Sequence, residues 1–307
     1  MTTIKTQNYG VEIELTGITR NAAADIIAAH FGTGASEYLG TCYQTYGAKD
    51  TKGRTWKCMR DSSIEPQTRD ENGVAHYAYG DLRCEVVTPI LQYEDLDDLQ
   101  EIVRKLRAAG AFANKSCGIH VHVDGANHTP DSLMMLTNLF VNRQDMIYKA
   151  LNIGERADTW CKKINSNLLK AMKANKVRTK ASMEQIWYSP ANDGYHGGIN
   201  HEHYNTTRYH GINLHAFFTK GTVEFRLFNG TTHAGKIKAY IQFCLAMSAW
   251  AINAKTNFFF MPINGRDEGK MFEDLITRRF QMKGAEFKTA RLHLLAAWKN
   301  NAEDNAA

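Results

Sequence analysis

The chain has 307 residues, 37 lysines and arginines against 32 aspartates and glutamates, and a formal charge of +5. With 43 % hydrophobic, 22 % charged and 10 % aromatic residues, it has the composition of a folded globular protein, which excludes extensive disorder. The longest apolar stretch, IQFCLAMSAWAIN (241–253), is shorter than the ~20 residues a membrane span needs. The opening MTTIKTQNYG has no apolar signal region, so a cytoplasmic protein without membrane contact is expected. No run of five lysines and arginines occurs, and the densest basic stretch, KAMKANKVRTK (170–180), reads as a solvated helix face. Nucleic acid is therefore not an expected partner, whereas a mild positive bias suits an anionic small ligand. Six cysteines without a CxxC pair argue against a cysteine zinc knuckle and for reduced thiols, with Cys117 read as a small buried residue.

In chain order, YGVEIELTG opens as a strand, and TRNAAADIIAAHF follows as a helix that Asn21 could cap. Residues 36–91 read as β-rich, with WKCMRD, AHYAYG and LRCEVVTPIL separated by turn clusters such as RDENG. YEDLDDLQEIVRKLRAAG predicts a helix with Leu96, Leu99, Val103 and Leu106 as its apolar stripe and Gly110 as its stop. CGIHVHVDG is a strand, and Thr129-Pro130 starts the next helix, which runs through LMMLTNLFVNRQDMIYKAL. Residues 153–207 are polar and irregular, and SPANDGYHGGINHEHYN reads as a long loop, a length usually associated with a functional cover. YHGINLHAFF and GTVEFRLF predict a strand pair joined by a Thr-Lys-Gly turn, followed by a long apolar helix over roughly 235–253. The last fifty residues read as helical and end in NNAEDNAA. Strands in pairs with helices between them predict an α+β fold with an antiparallel sheet.

The informative feature is a spacing of two. Glu12 and Glu14 lie in GVEIEL, Arg83 and Glu85 in LRCEVV, His120, His122 and Asp124 in GIHVHVD, and Glu224 and Arg226 in TVEFRL. Side chains two apart on a strand share a face, and the intervening residues are apolar or small. A solvated face also alternates, but it usually has lysine, serine, threonine and glutamine. Here acids recur, and Glu12 beside Glu14 is unfavourable without a cation. Several carboxylates with few imidazoles suit Mg²⁺ or Mn²⁺ better than zinc. Arginines on two of the strands suit phosphate. Together these point to phosphoryl transfer with ATP and two divalent ions.

These segments resemble a known family. CGIHVHVD, TVEFRLFNGTTHAGKIKAYIQFCLAM and GVEIEL look like the HxH, ExR and ExE strands of glutamine synthetases. The ordered set GVEIEL, DSSIE, EVVTPIL, GIHVHVD, RYHGINL and TVEFRLFNGT is closer still to the amidoligase family, within the carboxylate–amine ligases that include the glutamate–cysteine ligases. The resemblance covers about residues 8–250. It implies a glutamine synthetase-like catalytic domain over 1–254, with a curved antiparallel sheet and helices packed on its outer face. Residues 255–307 would be a C-terminal helical extension of the same domain.

The resemblance further implies an ATP-dependent, ADP-forming carbon–nitrogen ligase that makes an amide through an acyl phosphate, on a peptide or amino-acid-derived substrate. Glu14 and Glu85 would hold one metal, and Glu12, His120 and Glu224 the other. Arg226 would neutralise the transferring phosphoryl group with help from Arg208, and His122 and Arg83 would contact the nucleotide. Asp61, Glu65, His196 and Asn213 are candidate substrate contacts. Asp61 and Glu65 are also alternatives for completing a metal site. His201 and His203 could form a metal cluster with His196, or the loop that holds them could cover the substrate. A monomer or dimer is expected. The rival readings are a di-metal hydrolase built on HVHVD, although Gly125 stands where such motifs have histidine, and a non-catalytic nucleotide-binding protein of the same fold.

Overall fold

Period-two alternation and 3.6-residue periodicity resolve into ten strands and ten α-helices among the residues that this computed structural model describes, 1–255, 265 and 267–298. In chain order they are β1 (Tyr9–Leu15), α1 (Arg20–Phe31), β2 (Glu37–Tyr38), β3 (Tyr46–Lys49), β4 (Thr55–Met59), β5 (Gln67–Arg69), β6 (Ala75–Tyr77) and β7 (Cys84–Val87). Next come α2 (Leu96–Ala108), β8 (Gly118–Asp124), α3 (Pro130–Leu151), α4 (Arg156–Thr159), α5 (Ser166–Ala174) and α6 (Lys180–Trp187). Last are β9 (Ile212–Asn213), α7 (His215–Lys220), β10 (Thr222–Asn229), α8 (Ala234–Asn253), α9 (Glu268–Asp274) and α10 (Lys288–Leu294). Eight strands form one open sheet in the order β2-β3-β4-β7-β1-β8-β10-β9, and β5 and β6 form a separate ribbon. The pairings β2·β3, β3·β4, β4·β7, β7·β1, β9·β10 and β5·β6 are all antiparallel. The protein is thus α+β with a large antiparallel sheet. Among the described residues no helix is long and apolar enough to cross a membrane.

The chain divides into two compact units, the first Asn8–Val121 with Phe228–Lys238, the second Met1–Gln7, His122–Leu227 and Ala239–Ala307. In the first unit, Val11, Ile13, Leu15, Cys84, Val86, Ile119 and Val121 are buried, as their alternation requires. The apolar stripe of α2 and the residues Ala23, Ala24, Ile27 and Ala28 of α1 are buried too. Each large aliphatic side chain removed from water this way contributes about 1.5–3 kcal/mol. The cap of α1 is Thr19, not Asn21: Thr19 is extended and its hydroxyl accepts from the Ala22 N–H, whereas Asn21 lies inside the helix. A ring of charge ties the β3–β4 turn to the start of α2. Arg54 donates to both Asp50 and Asp95, and these bonds hold the Asp95 carboxyl well below the usual carboxylate range against its burial.

In the second unit, Thr129 caps α3 and Pro130 occupies its first turn, as the sequence predicts. Two expectations fail here. Residues 153–187 are not a loop: Leu168, Leu169 and Met172 of α5 and Met183, Ile186 and Trp187 of α6 recur at helical spacing and are buried. The stretch KAMKANKVRTK is correspondingly the end of α5, a turn, and the start of α6. Nor does HAFFTK extend a strand, because α7 occupies it. His215, Ala216 and Phe217 are buried in succession, which a two-faced strand does not allow, and Gly221 at φ +76° ends the helix in the left-handed region. Residues 188–205 contain neither helix nor strand, as expected. Of the C-terminal residues, Glu268–Asp274 and Lys288–Leu294 are helical, while NNAEDNAA lies outside the described residues.

Candidate active site

The polar faces of these strands are not solvated. In the first unit Glu14 is 4 % exposed, Glu85 8 % and His120 3 %. The antiparallel register sets Glu14 directly opposite Glu85, so two carboxylates meet across the strands, an arrangement that repels unless a cation intervenes. One Glu14 oxygen accepts from the Gly118 N–H. Glu12 lies 2.8 Å from His120 Nδ1, and His120 Nε2 is 3.8 Å from Glu14. Two groups of donor atoms result: Glu14, Asp61 and Glu85, and Glu12, Glu85 and His120, each offering three ligand atoms within 4.8 Å of one another. Glu85 belongs to both. Five donors, four of them carboxylates, make a hard set that fits Mg²⁺ or Mn²⁺.

Asp61 reaches this cluster from the turn after β4, where one of its oxygens accepts from the backbone and hydroxyl of Ser63. Glu65 is exposed and its backbone closes a turn, donating to Ser116 and accepting from Asn114. Arg83 precedes β7 rather than sitting in it. It ends a tight turn, and its Nε donates to the Ile64 carbonyl, so strand alternation does not govern where its side chain points.

In the second unit, Glu224 and Arg226 pair along β10, with the guanidinium 2.6 Å from Oε1. The other carboxylate oxygen accepts from Asn213 at 2.7 Å, its register partner on β9. His122 is held by the Thr222 hydroxyl at 2.9 Å, with its Nε2 4.0 Å from Glu224. Asp124 caps the end of β8 by accepting from the Ala126 N–H. Arg226 lies over the Tyr209 ring at 5.8 Å, and Arg208 over Tyr209 and Tyr204 at 5.7 Å each. Arg208 also donates to the His203 carbonyl.

His196 is exposed, His201 pairs with Glu184, and His203 stacks on Tyr204. Among the described residues these three histidines form no three-ligand metal group.

Sequence reasoning missed His215. It is 4 % exposed and bonded at Nδ1 to the Tyr188 hydroxyl at 2.6 Å. Burial, followed by the positive charge of Arg208, pushes its imidazole down to about 4, so it is neutral at physiological pH. The signal was present, since His215 stands two residues from Asn213, the same spacing that marks the other strands. Tyr188 and Tyr209, which line this region, carry no comparable mark in the sequence.

Comparison with known proteins matches residues 5–248 to the family described as "Putative amidoligase enzyme". No match is found among curated proteins.

Proposed function

The chain belongs to the amidoligase family, and we propose that it is an ATP-dependent carboxylate–amine ligase that forms an amide through an acyl phosphate. The observation that carries this reading is the pair of three-donor groups sharing Glu85 on a buried sheet face. Glu14, Asp61 and Glu85 would hold one divalent ion. Glu12, His120 and Glu85 would hold a second, to which the family resemblance adds Glu224. Bound there, two such ions would supply charge neutralisation to a triphosphate.

A carboxylate is a poor electrophile because its carbon already bears full electron donation from two oxygens. In the proposed reaction a carboxylate oxygen attacks the γ-phosphorus and ADP departs, leaving the carboxyl carbon with a phosphate leaving group. The amine nitrogen then attacks that carbon, loses a proton, and expels inorganic phosphate. The residues contribute position and charge. Arg226, whose Nη1 is held on Glu224, would place a fixed guanidinium against the phosphoryl oxygens, and Arg208 would add a second. His122, oriented by Thr222, would donate to the nucleotide or the substrate. Asn213 would keep the Glu224 carboxylate in one orientation. Arg83 remains a candidate nucleotide contact, and Glu65 and His196 candidate substrate contacts. Small-molecule or peptide acids and amines are the substrates this chemistry calls for.

Purified chain supplied with ATP, Mg²⁺ and a panel of amino acids and peptides is expected to release ADP. Hydroxylamine should divert the activated acid to a hydroxamate. ADP release that needs neither acid nor divalent ion, or zinc-dependent hydrolysis without ATP, would refute the ligase reading.

A further inference from the structure

Away from the metal-type donors, the first unit encloses a cavity of about 570 Å³, within the range of small-ligand sites. Its chemistry has one sign. Arg69 and Arg107 line it together with Thr68, Thr231, Thr232 and His233, and no carboxylate does. Among the described residues neither guanidinium has an acidic partner.

Each arginine is held in place without being neutralised. Arg69 lies 4.2 Å over the Phe112 ring, a contact that positions a cation but leaves its charge. Arg107 sits in the last turn of α2, where the helix dipole favours a cation. The wall is closely built. A side chain at Gly17, which has φ +77°, would come within 2.6 Å of the Gly110 carbonyl and 2.7 Å of the Phe112 ring. Thr231 accepts from the His233 N–H, which fixes that loop and leaves the hydroxyl proton available to a ligand.

We propose that this cavity binds an anionic group, a carboxylate or a phosphate, gripped by Arg69 and Arg107 and bonded by the threonine hydroxyls. The site stands on its own, but its use in the reaction rests on the ligase reading: it would hold a second anionic group of the acid or amine substrate, distant from the reacting centre. The chain makes this reach possible. Gly17 follows Glu14 by three residues, so their Cα atoms are at most about 11 Å apart. Gly230 packs against Cys117, next to the Gly118 N–H that bonds Glu14. A molecule the size of an amino acid or dipeptide spans that gap.

The test is calorimetric titration of the full chain, freed of metal on a chelating resin, with inorganic phosphate in one arm and glutarate in the other. Binding is expected in at least one arm, and the tighter arm identifies the anion. Arg107→Ala and Arg69→Ala should each weaken it by about tenfold or more, the loss typical of a charged hydrogen bond. Both arginines are exposed, so both variants should fold, as unchanged circular dichroism would verify. Glu12→Gln, which alters a metal-type donor, should bind the anion as the parent does. No heat in either arm, or undiminished binding in both arginine variants, overturns the site. Because no ATP is present, anion binding that persists in a chain unable to form hydroxamate would refute the ligase reading alone.

Discussion

Glu14 and Glu224 are both buried glutamates on sheet strands, yet their surroundings solve the problem of a buried charge in opposite ways. Glu224 is satisfied within the protein, by Arg226 at 2.6 Å on one oxygen and Asn213 at 2.7 Å on the other. Glu14 instead faces Glu85 across the strand pair, with Asp61 beside them and the Glu12–His120 pair next to it. A carboxylate group that collects more acids than bases is poised for an external cation. A carboxylate with its own guanidinium holds that guanidinium ready for an external anion. Two kinds of charge complement, one for metal and one for phosphate, are what a phosphoryl-transferring ligase requires.

The largest expected effect comes from breaking the self-satisfied pair. Arg226→Ala leaves the Glu224 carboxylate uncompensated, and denaturant titration should show a loss of about 3–5 kcal/mol. ADP release should fall by about a hundredfold or more. Adding Glu224→Gln should restore much of the stability and none of the turnover. A stable single variant would show that the pair does not compensate Glu224.

The acidic group should behave in the reverse sense. Glu85→Gln removes the donor common to both sites, so Mn²⁺ titration followed by electron paramagnetic resonance should go from two bound ions to none. The affinity loss should be about a hundredfold or more, at or above what second-shell changes cause. In the metal-free state the same variant should be more stable than the parent, by about 1 kcal/mol, because a like-charge pair is relieved. Lower metal-free stability would contradict the claim that Glu14 and Glu85 repel. Asp61→Asn and Glu12→Gln should each weaken one ion only, leaving the other near parental affinity. Loss of both ions in either variant would mean that the two groups are a single site.

The smallest effect concerns pH and belongs to the second unit. Burial lowers His128 to about 4 from its ordinary 6.5, and His215 likewise. The unfolded chain therefore binds more protons than the folded one between roughly pH 6.5 and 4, and stability rises with pH across that window. It is complete above 6.5 and lost as pH falls toward 4. His128→Gln should keep bonds to the Ser132 and Ser248 hydroxyls that flank the ring while flattening the slope by up to about one proton. An unchanged slope would mean that His128 is protonated in the fold.

Much of the sheet was legible because strands and their faces follow from local alternation. β1, β7, β8 and β10 fall within the segments that GVEIEL, LRCEVV, GIHVHVD and TVEFRL mark, and their apolar residues are buried. The helices α2, α3 and α8 were legible for the same kind of reason, a sustained apolar period with recognisable ends. What misled were short elements whose local signals compete. HAFFTK carries β-favouring aromatics, but its three consecutive buried residues need a helical turn. Asn21 is as good a capping residue as Thr19, and only the backbone angle at position 19 decides between them.

The candidate site divides along the same line. Sequence alone determined which residue types share a strand face, because side chains two apart must point the same way, and it determined family membership through the order of those strands. It left open how the strands meet. That Glu14 stands opposite Glu85, that Asp61 rather than Glu65 joins them, that Arg83 falls outside the strand, and that Arg69 and Arg107 line one cavity are all consequences of register and loop path. These depend on contacts between residues far apart in the chain, for which local periodicity has no signal, and only the tertiary structure decided them.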